Sequence, residues 1–423
     1  MKKSCTVVRS DQPVSPQRHL PLVDLLVDTR TELFELAMRS GLRVFTAMLE
    51  ADRAAICGAR YAHEPDRPAS RAGTAPSEVV LGGRKVATQR PRARTAAGEV
   101  PLPTFQTMAN TDPLNRRVVE QMLVGVATRQ YARSLEPIPA SVVSRGTSKS
   151  AVSRRFVAKT RAQLEAWQST SLEGLDLVGL VLDGVHVGEH CLIIALGIAA
   201  DGQKHALGLW EGSTENAALC QSLLANLQSR GLRTDRSLLV LLDGSKALRK
   251  AVRETFGDVA LVQRCQVHKL RNVLDHLPDR QRTWVKAILP RAYRSTDVAT
   301  ARRLLLDLAR RLETEHPSAA ESVREGLDET LTVLGLSLSD ALRRSLVTTN
   351  AAESLISRTR QVKRNVKRGR GGQMVVRWVA AGVLEAVKGF RRLKGHKAMP
   401  QLVAALRARD QQFGLVTDVE KVA

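Results

Sequence analysis

The chain has 423 residues and carries 65 Lys plus Arg against 42 Asp plus Glu, a formal net charge of +23. A polyphosphate is the simplest partner for such an excess. A spanning helix is not expected, because the longest apolar runs, near Leu175 and Cys191, are broken by Asp183, Glu189 and His190 well short of roughly 18 residues.

In chain order, the opening MKKSCTVVRSDQP has basic residues with no apolar core behind them, so no secretory signal is read. Leu22, Leu26, Leu33, Leu36, Ala37, Val44 and Leu49 return at helical spacing, giving a helical region over 1–55. From 56 to 110 the texture turns to Gly, Pro and Arg with short pieces such as SEVVL and KVATQ, a small β-rich or loop-rich basic module. Its Arg90, Arg92 and Arg94 suit either phosphates or a solvated loop.

Over 111–170 the period is helical again, with a break at Pro137 and Pro139. In RGTSKSAVSRRFVAKTRAQLEAW, Thr147 and Ser148 can cap a helix that shows Lys149, Ser150, Ser153, Arg154, Arg155 and Lys159 to one side. Ala151, Val152, Phe156 and Leu164 supply its apolar contacts. This is the pattern of a helix-turn-helix with its recognition helix near 148–163, against the plainer reading of a charged surface helix.

Residues 171–267 alternate differently: strands Leu177 to Val187, Cys191 to Ala199 and Ala206 to Trp210, a helix Glu215 to Gly231, a strand Leu238 to Leu242, a helix Lys246 to Phe256, and a strand Val259 to Arg264. Three strands on short turns followed by βαβ alternation predict a mixed sheet in ribonuclease H order. No GxGxxG opens a helix, so a dinucleotide fold lacks its phosphate loop. Residues 268–346 read as helix after helix, and 347–423 as the return of the core with basic C-terminal helices. The expected class is therefore multidomain α/β: a ribonuclease H-like mixed-sheet core with an all-α insertion, preceded by a helical DNA-binding region.

Asp183 in LVGLVLDGVHV and Asp243 in SLLVLLDGSKAL end apolar runs, and Glu353 lies in VTTNAAESLISRTR just before a dense basic block. Each alone has an ordinary reading, Asp-Gly as a turn and Glu as a solvated helix residue. Together, in a basic chain, they are hard oxygen ligands for Mg²⁺ or Mn²⁺, with two ions expected, over a phosphodiester. The basic block holds Arg358, Arg360, Lys363, Arg364, Lys367, Arg368 and Arg370, either contacts to DNA phosphates or a solvated tail. The five cysteines (Cys5, Cys57, Cys191, Cys220, Cys265) form no CxxC pair, which argues against a disulfide framework and fits a reducing cytoplasm.

With these residues in view, the chain resembles transposases of the IS256 and Mutator-like superfamily of bacterial insertion sequences. The likeness rests on RGTSKSAVSRRF, LDGVHV at Asp183, DGSKALRKAV at Asp243, QRCQVHKLRNV, TTNAAE ending in Glu353, and RWVAAGVLEAVKGFRRLKG. It departs at Gly188, Glu189 and His190, where a basic or aliphatic residue is expected, and at Val347, where an aromatic is usual.

The resemblance implies a DDE triad of Asp183, Asp243 and Glu353, holding metal for DNA cleavage and strand transfer without a covalent enzyme intermediate. It also implies binding to terminal inverted repeats and to target DNA, a homodimer or higher oligomer on double-stranded DNA, and a place in the bacterial cytoplasm at the nucleoid. Cys265 and His268 match the CxxH signature of the superfamily; a zinc site lacks two further ligands, so the pair is expected to position a strand or DNA. Trp284, in the insertion, is either a base-stacking residue or part of the insertion core, and Trp378 is expected in the core. The rival readings are a catalytically silent regulator derived from a transposase and a ribonuclease H-like nuclease or resolvase.

Overall fold

The computed structural model describes residues 22–62, 67–81, 83–110, 116–135, 142–146, 148–187, 189–212, 217–363 and 372–415. Internal packing divides the chain into two units, Met1–Val118 with Arg129–Lys149, and Val119–Thr128 with Ser150–Ala423.

In the first unit a long helix, α1 (Leu22–Cys57), lies on a sheet made by β1 (Ser70–Leu81), β2 (Arg84–Thr95) and β3 (Gly98–Val100), flanked by α2 (Pro103–Asn110). β1 and β2 are an antiparallel hairpin, closed at Gly83, whose positive φ of 81° suits a residue without Cβ. Phe45 and Leu49 of α1 bury against Val79 and Leu102. α3 (Arg116–Leu123) crosses the division, and β4 (Ser144–Gly146) adds to the sheet by pairing with β2.

The second unit takes in α4 (Lys149–Ser169) from Ser150 onward and is built on a five-stranded mixed sheet. Its strands are β5 (Leu177–Val187), β6 (His190–Ala199), β7 (Lys204–Gly212), β8 (Leu238–Leu242) and β9 (Ala260–Arg264), in the spatial order β7-β6-β5-β8-β9. β5, β6 and β7 form an antiparallel meander; β8 runs parallel to β5 and β9 parallel to β8. The two crossovers are α5 (Ala217–Ser229) and α6 (Lys246–Phe256).

Side chains of a strand alternate between its faces. Leu180, Leu182, Val240 and Leu242 therefore bury against α5 and α6. Val181, Val185, Leu239 and Leu241 bury on the opposite face, under the C-terminal helices. Near-continuous apolar runs are what a strand covered on both faces requires.

After β9 come α7 (Gln266–Asp275), α8 (Asp279–Tyr293), α9 (Val298–Leu312), α10 (Pro317–Arg324) and α11 (Leu327–Thr330). They enclose a separate core of Val273, Leu289, Leu305, Leu308 and Val323, all buried. α12 (Asp340–Leu346), α13 (Asn350–Lys363), α14 (Gly372–Val387) and α15 (Met399–Gln412) then return to the sheet. Trp378 on α14 is buried, its ring 4.3 Å from that of Phe156 on α4.

A helix-turn-helix needs a helix joined to α4 by a short turn. The described segment immediately before α4 is instead strand β4, with Arg145 paired to Lys85 of β2. The chain is thus a mixed α/β protein, and among the described residues no helix is long and apolar enough to cross a membrane.

Candidate active site

β5 and β8 are parallel neighbours with Leu182 paired to Leu242, so the residues that follow, Asp183 and Asp243, reach the same level of the sheet. Asp183 shares its strand face with Val181 and Val185, the face that α13 covers. Asp183 is 3% exposed. Asp243 is half-buried, and its Oδ1 accepts a hydrogen bond of 2.9 Å from the Ser245 amide. The turn needs Gly244, whose φ is 115°, and leads straight into α6, where Ser245 caps the Leu248 amide.

Glu353 sits in the first turn of α13, a favourable place for an anion. Its Oε1 lies 3.4 Å from His268 Nε2 and 3.3 Å from Arg271 Nη1. Asp183, Gly184, His268, Arg271, Glu353 and Ser357 line one cleft of about 350 Å³. Asp243 adjoins it and acts on Asp183 through its charge.

The Asp183 carboxyl is pushed up to about 8: burial is the largest cause, followed by the charge of Asp243, with Glu353 adding and His268 opposing. A buried carboxylate destabilised by two others is the environment a divalent cation relieves, and hard oxygen donors suit Mg²⁺ or Mn²⁺. The donor chemistry fits such an ion. As the side chains stand, no three His, Cys, Asp or Glu groups among the described residues converge on one point at ligand distance.

Cys265 is buried, with Sγ accepting hydrogen bonds from Thr349 N (3.4 Å) and Thr349 Oγ1 (3.6 Å). Burial pushes its thiol up, but these bonds and one from His268 prevail and lower it. The His268 imidazole is raised, chiefly by its bond to Cys265. Thr349 immediately precedes α13, and the Gln266 amide donates to Val347 O (3.0 Å). The Cys265–His268 pair therefore ties the start of the insertion to the segment that presents Glu353.

Of the α4 residues, Lys149, Ser150, Ser153 and Arg154 are exposed, while Arg155 and Lys159 are half-buried. Val152 and Phe156 turn inward. Arg358, Arg360 and Lys363 lie on α13; Arg364, Lys367, Arg368 and Arg370 lie outside the described residues. Arg90 and Arg92 are on β2 rather than in a loop, and both pair with Glu99 (2.8 and 2.9 Å). Trp284 packs on the insertion core, its Nε1 donating to Gln281 and the Arg311 guanidinium 4.8 Å above its ring.

Sequence reading missed two basic features beside the acids. Arg271, one turn beyond His268, reaches Glu353 across 82 positions. Lys246, Arg249, Lys250 and Arg253 line a second recess of about 460 Å³ beyond the Gly244 turn. Their i, i+3, i+4, i+7 spacing in KALRKAVR was a legible signal for the second, and no local signal existed for the first.

The family model described as "Transposase, Mutator family" matches residues 27–391. The transposase for insertion sequence element IS6120 of Mycolicibacterium smegmatis is 28% identical over 292 residues, which are 68% of this chain and 87% of that protein. A probable insertion-sequence transposase of Corynebacterium diphtheriae is 33% identical over 186 residues, 44% of this chain and 53% of that protein. The transposase of IS256 in transposon Tn4001 of Staphylococcus aureus is 27% identical over 237 residues, 52% and 57% of the two chains. With most of its length inside that family model, the chain belongs to the Mutator family of insertion-sequence transposases.

Proposed function

We propose that the protein is a DDE transposase with a ribonuclease H-like core, which binds the terminal inverted repeats of its element and carries out metal-dependent strand cleavage and strand transfer. The observation that carries this reading is that Asp183, level with Asp243 on the neighbouring strand, shares a cleft with Glu353 and is buried, its ionisation suppressed first by burial and then by the charges of Asp243 and Glu353. The strand order with β5 beside β8 and an all-α segment between Asp243 and Glu353 supports the core assignment.

Asp183, Asp243 and Glu353 would hold two Mg²⁺ or Mn²⁺ ions. Such ions, when bound, lower the pKa of an attacking water and offset charge on the scissile phosphate and the leaving oxygen. Arg271, exposed at the rim of the cleft, is placed to accept a phosphate in exchange for Glu353, and its guanidinium fork suits two phosphate oxygens. His268 fixes the direction from which Glu353 enters, and Cys265 with Thr349 fixes His268. The exposed face of α4, the α6 row and the basic run after Glu353 supply backbone contacts to double-stranded end and target DNA. Two DNA ends must be held together for joining, which calls for a homodimer or larger assembly on DNA.

The test incubates purified protein with DNA carrying the element's ends and Mg²⁺, scoring nicked and joined strands beside Asp183→Asn, Asp243→Asn and Glu353→Gln. Joined products that disappear in all three variants, with end binding retained, support the triad. Binding without cleavage under both Mg²⁺ and Mn²⁺ would replace this reading with the silent regulator; cleavage without joining would replace it with a nuclease or resolvase.

A further inference from the structure

Arg264 ends β9, paired in register with Leu242, and its side chain is 7% exposed. Its Nη2 donates to the carbonyl of Gly244 (3.0 Å), inside the turn that carries Asp243, and to Glu325 Oε2 (3.1 Å). Nη1 donates to the Glu325 carbonyl (3.0 Å). One guanidinium thus bridges the Asp243 turn and the junction of α10 and α11 in the helical insertion. The same Glu325 carbonyl accepts from Lys269 Nζ (2.5 Å), which is 2% exposed.

Glycines flank the bridge on both sides. A Cβ on Gly244 would stand 2.8 Å from Arg264 Nε, and one on Gly326 would stand 2.6 Å from Nη1. Both have positive φ, 115° and 60°. Any side chain at either position would displace the guanidinium. The chain therefore gives up two side chains and accepts two left-handed residues to seat one arginine. A buried ion pair is weak evidence of stabilisation, whereas a planar fork reaching three oxygens specifies geometry.

We infer that Arg264 is a positioning residue that locks the Asp243 turn to the helical insertion, so that the placement of the insertion sets the placement of the Asp243 carboxylate. This rests on the triad reading for its catalytic consequence, and on geometry alone for the lock. Lysine keeps the charge but cannot reach Gly244 O and both Glu325 oxygens with one planar group. Glu325→Gln attacks the same bridge from the insertion side.

The test is hydrogen–deuterium exchange of the full-length Arg264→Lys and Glu325→Gln variants, with cleavage of end DNA followed against Mg²⁺ concentration. Exchange is expected to rise in residues 243–248 while Leu177–Val187 keeps wild-type protection. Losing a group that orients a metal-holding side chain costs about 10–100-fold in metal affinity or activity, so cleavage at limiting Mg²⁺ should fall in that range while end-DNA affinity stays within about twofold. Wild-type exchange at 243–248, or a rise spread equally over the β5 segment, overturns the lock. A wild-type protein that never cuts DNA defeats the triad reading instead, and the exchange arm still decides whether Arg264 holds the turn.

Discussion

Asp183 and Asp243 stand side by side because Leu182 and Leu242, the residues before them, are paired across two parallel strands. A slip of one residue in either strand would turn its acid to the α5 and α6 face and bury it among leucines. Register is held by Leu180 and Val240 on that face and by Val181 and Leu241 on the other, all buried. The same packing that stabilises the sheet therefore aligns the two acids.

Asp183 should make folding depend on pH. Its folded value is raised to about 8, above the usual 3.8, so its protonated form belongs to the folded state. Its contribution is fully present below pH about 4 and is lost as pH rises through about 8. In EDTA, Asp183→Asn should melt above the wild type at pH 8, at roughly 2–4 °C per kcal/mol recovered, with the gap closing toward pH 4. Equal melting temperatures at pH 8 would refute it.

Arg271→Gln removes an exposed guanidinium that touches Glu353 without opening a core. Cleavage should drop by about 10²-fold or more, as when a single charge-stabilising donor is lost, with the unfolding midpoint unchanged. A variant that cuts at the wild-type rate would remove Arg271 from the mechanism.

Gly395, with φ 85°, has no room for a side chain: a Cβ would lie 2.6 Å from Leu342 N and 2.8 Å from Ala341 C, both backbone atoms of α12. Gly395→Ala should cost at least about 3 kcal/mol in urea unfolding, as a strained residue pressed on backbone. An unchanged midpoint would contradict this close approach.

The two faces of α4 should separate by experiment. Phe156→Ala empties a buried site against Trp378 and should cost about 3–5 kcal/mol of stability. Lys149→Ala with Arg154→Ala, both exposed, should leave stability within about 0.5 kcal/mol and weaken DNA binding. The reverse outcome would put the DNA surface elsewhere.

If six to ten basic residues each neutralise a phosphate, log affinity should fall against log salt with a slope of roughly 5 to 9, at about 0.9 per contact. A slope near zero, measured by titration of end DNA between low and physiological salt, would exclude backbone binding.

Strand positions were legible because alternating or continuous apolar runs report burial locally: the expected strands Leu177 to Val187 and Leu238 to Leu242 stand where the structure has them. The helices expected over 268–346 were legible for the same reason at a period of 3.6. The segment before α4 was not. Ser144, Arg145 and Gly146 carry no strand pattern, and they become a strand because β2, some 60 positions earlier, offers an edge. A pairing partner that distant leaves no local trace.

By itself, the sequence determined the charge, the order of elements and the placing of Asp183 within a strand, Asp243 just after one and Glu353 in the first turn of a helix, because these follow from residue type and short-range periodicity. Only the tertiary structure decided that Asp183 and Asp243 share a sheet level, that Glu353 meets His268 and Arg271, and that Arg264 joins the Asp243 turn to Glu325. Those relationships are set by strand register and by side chains meeting across 20 to 85 positions, where packing and hydrogen-bond geometry choose the partners.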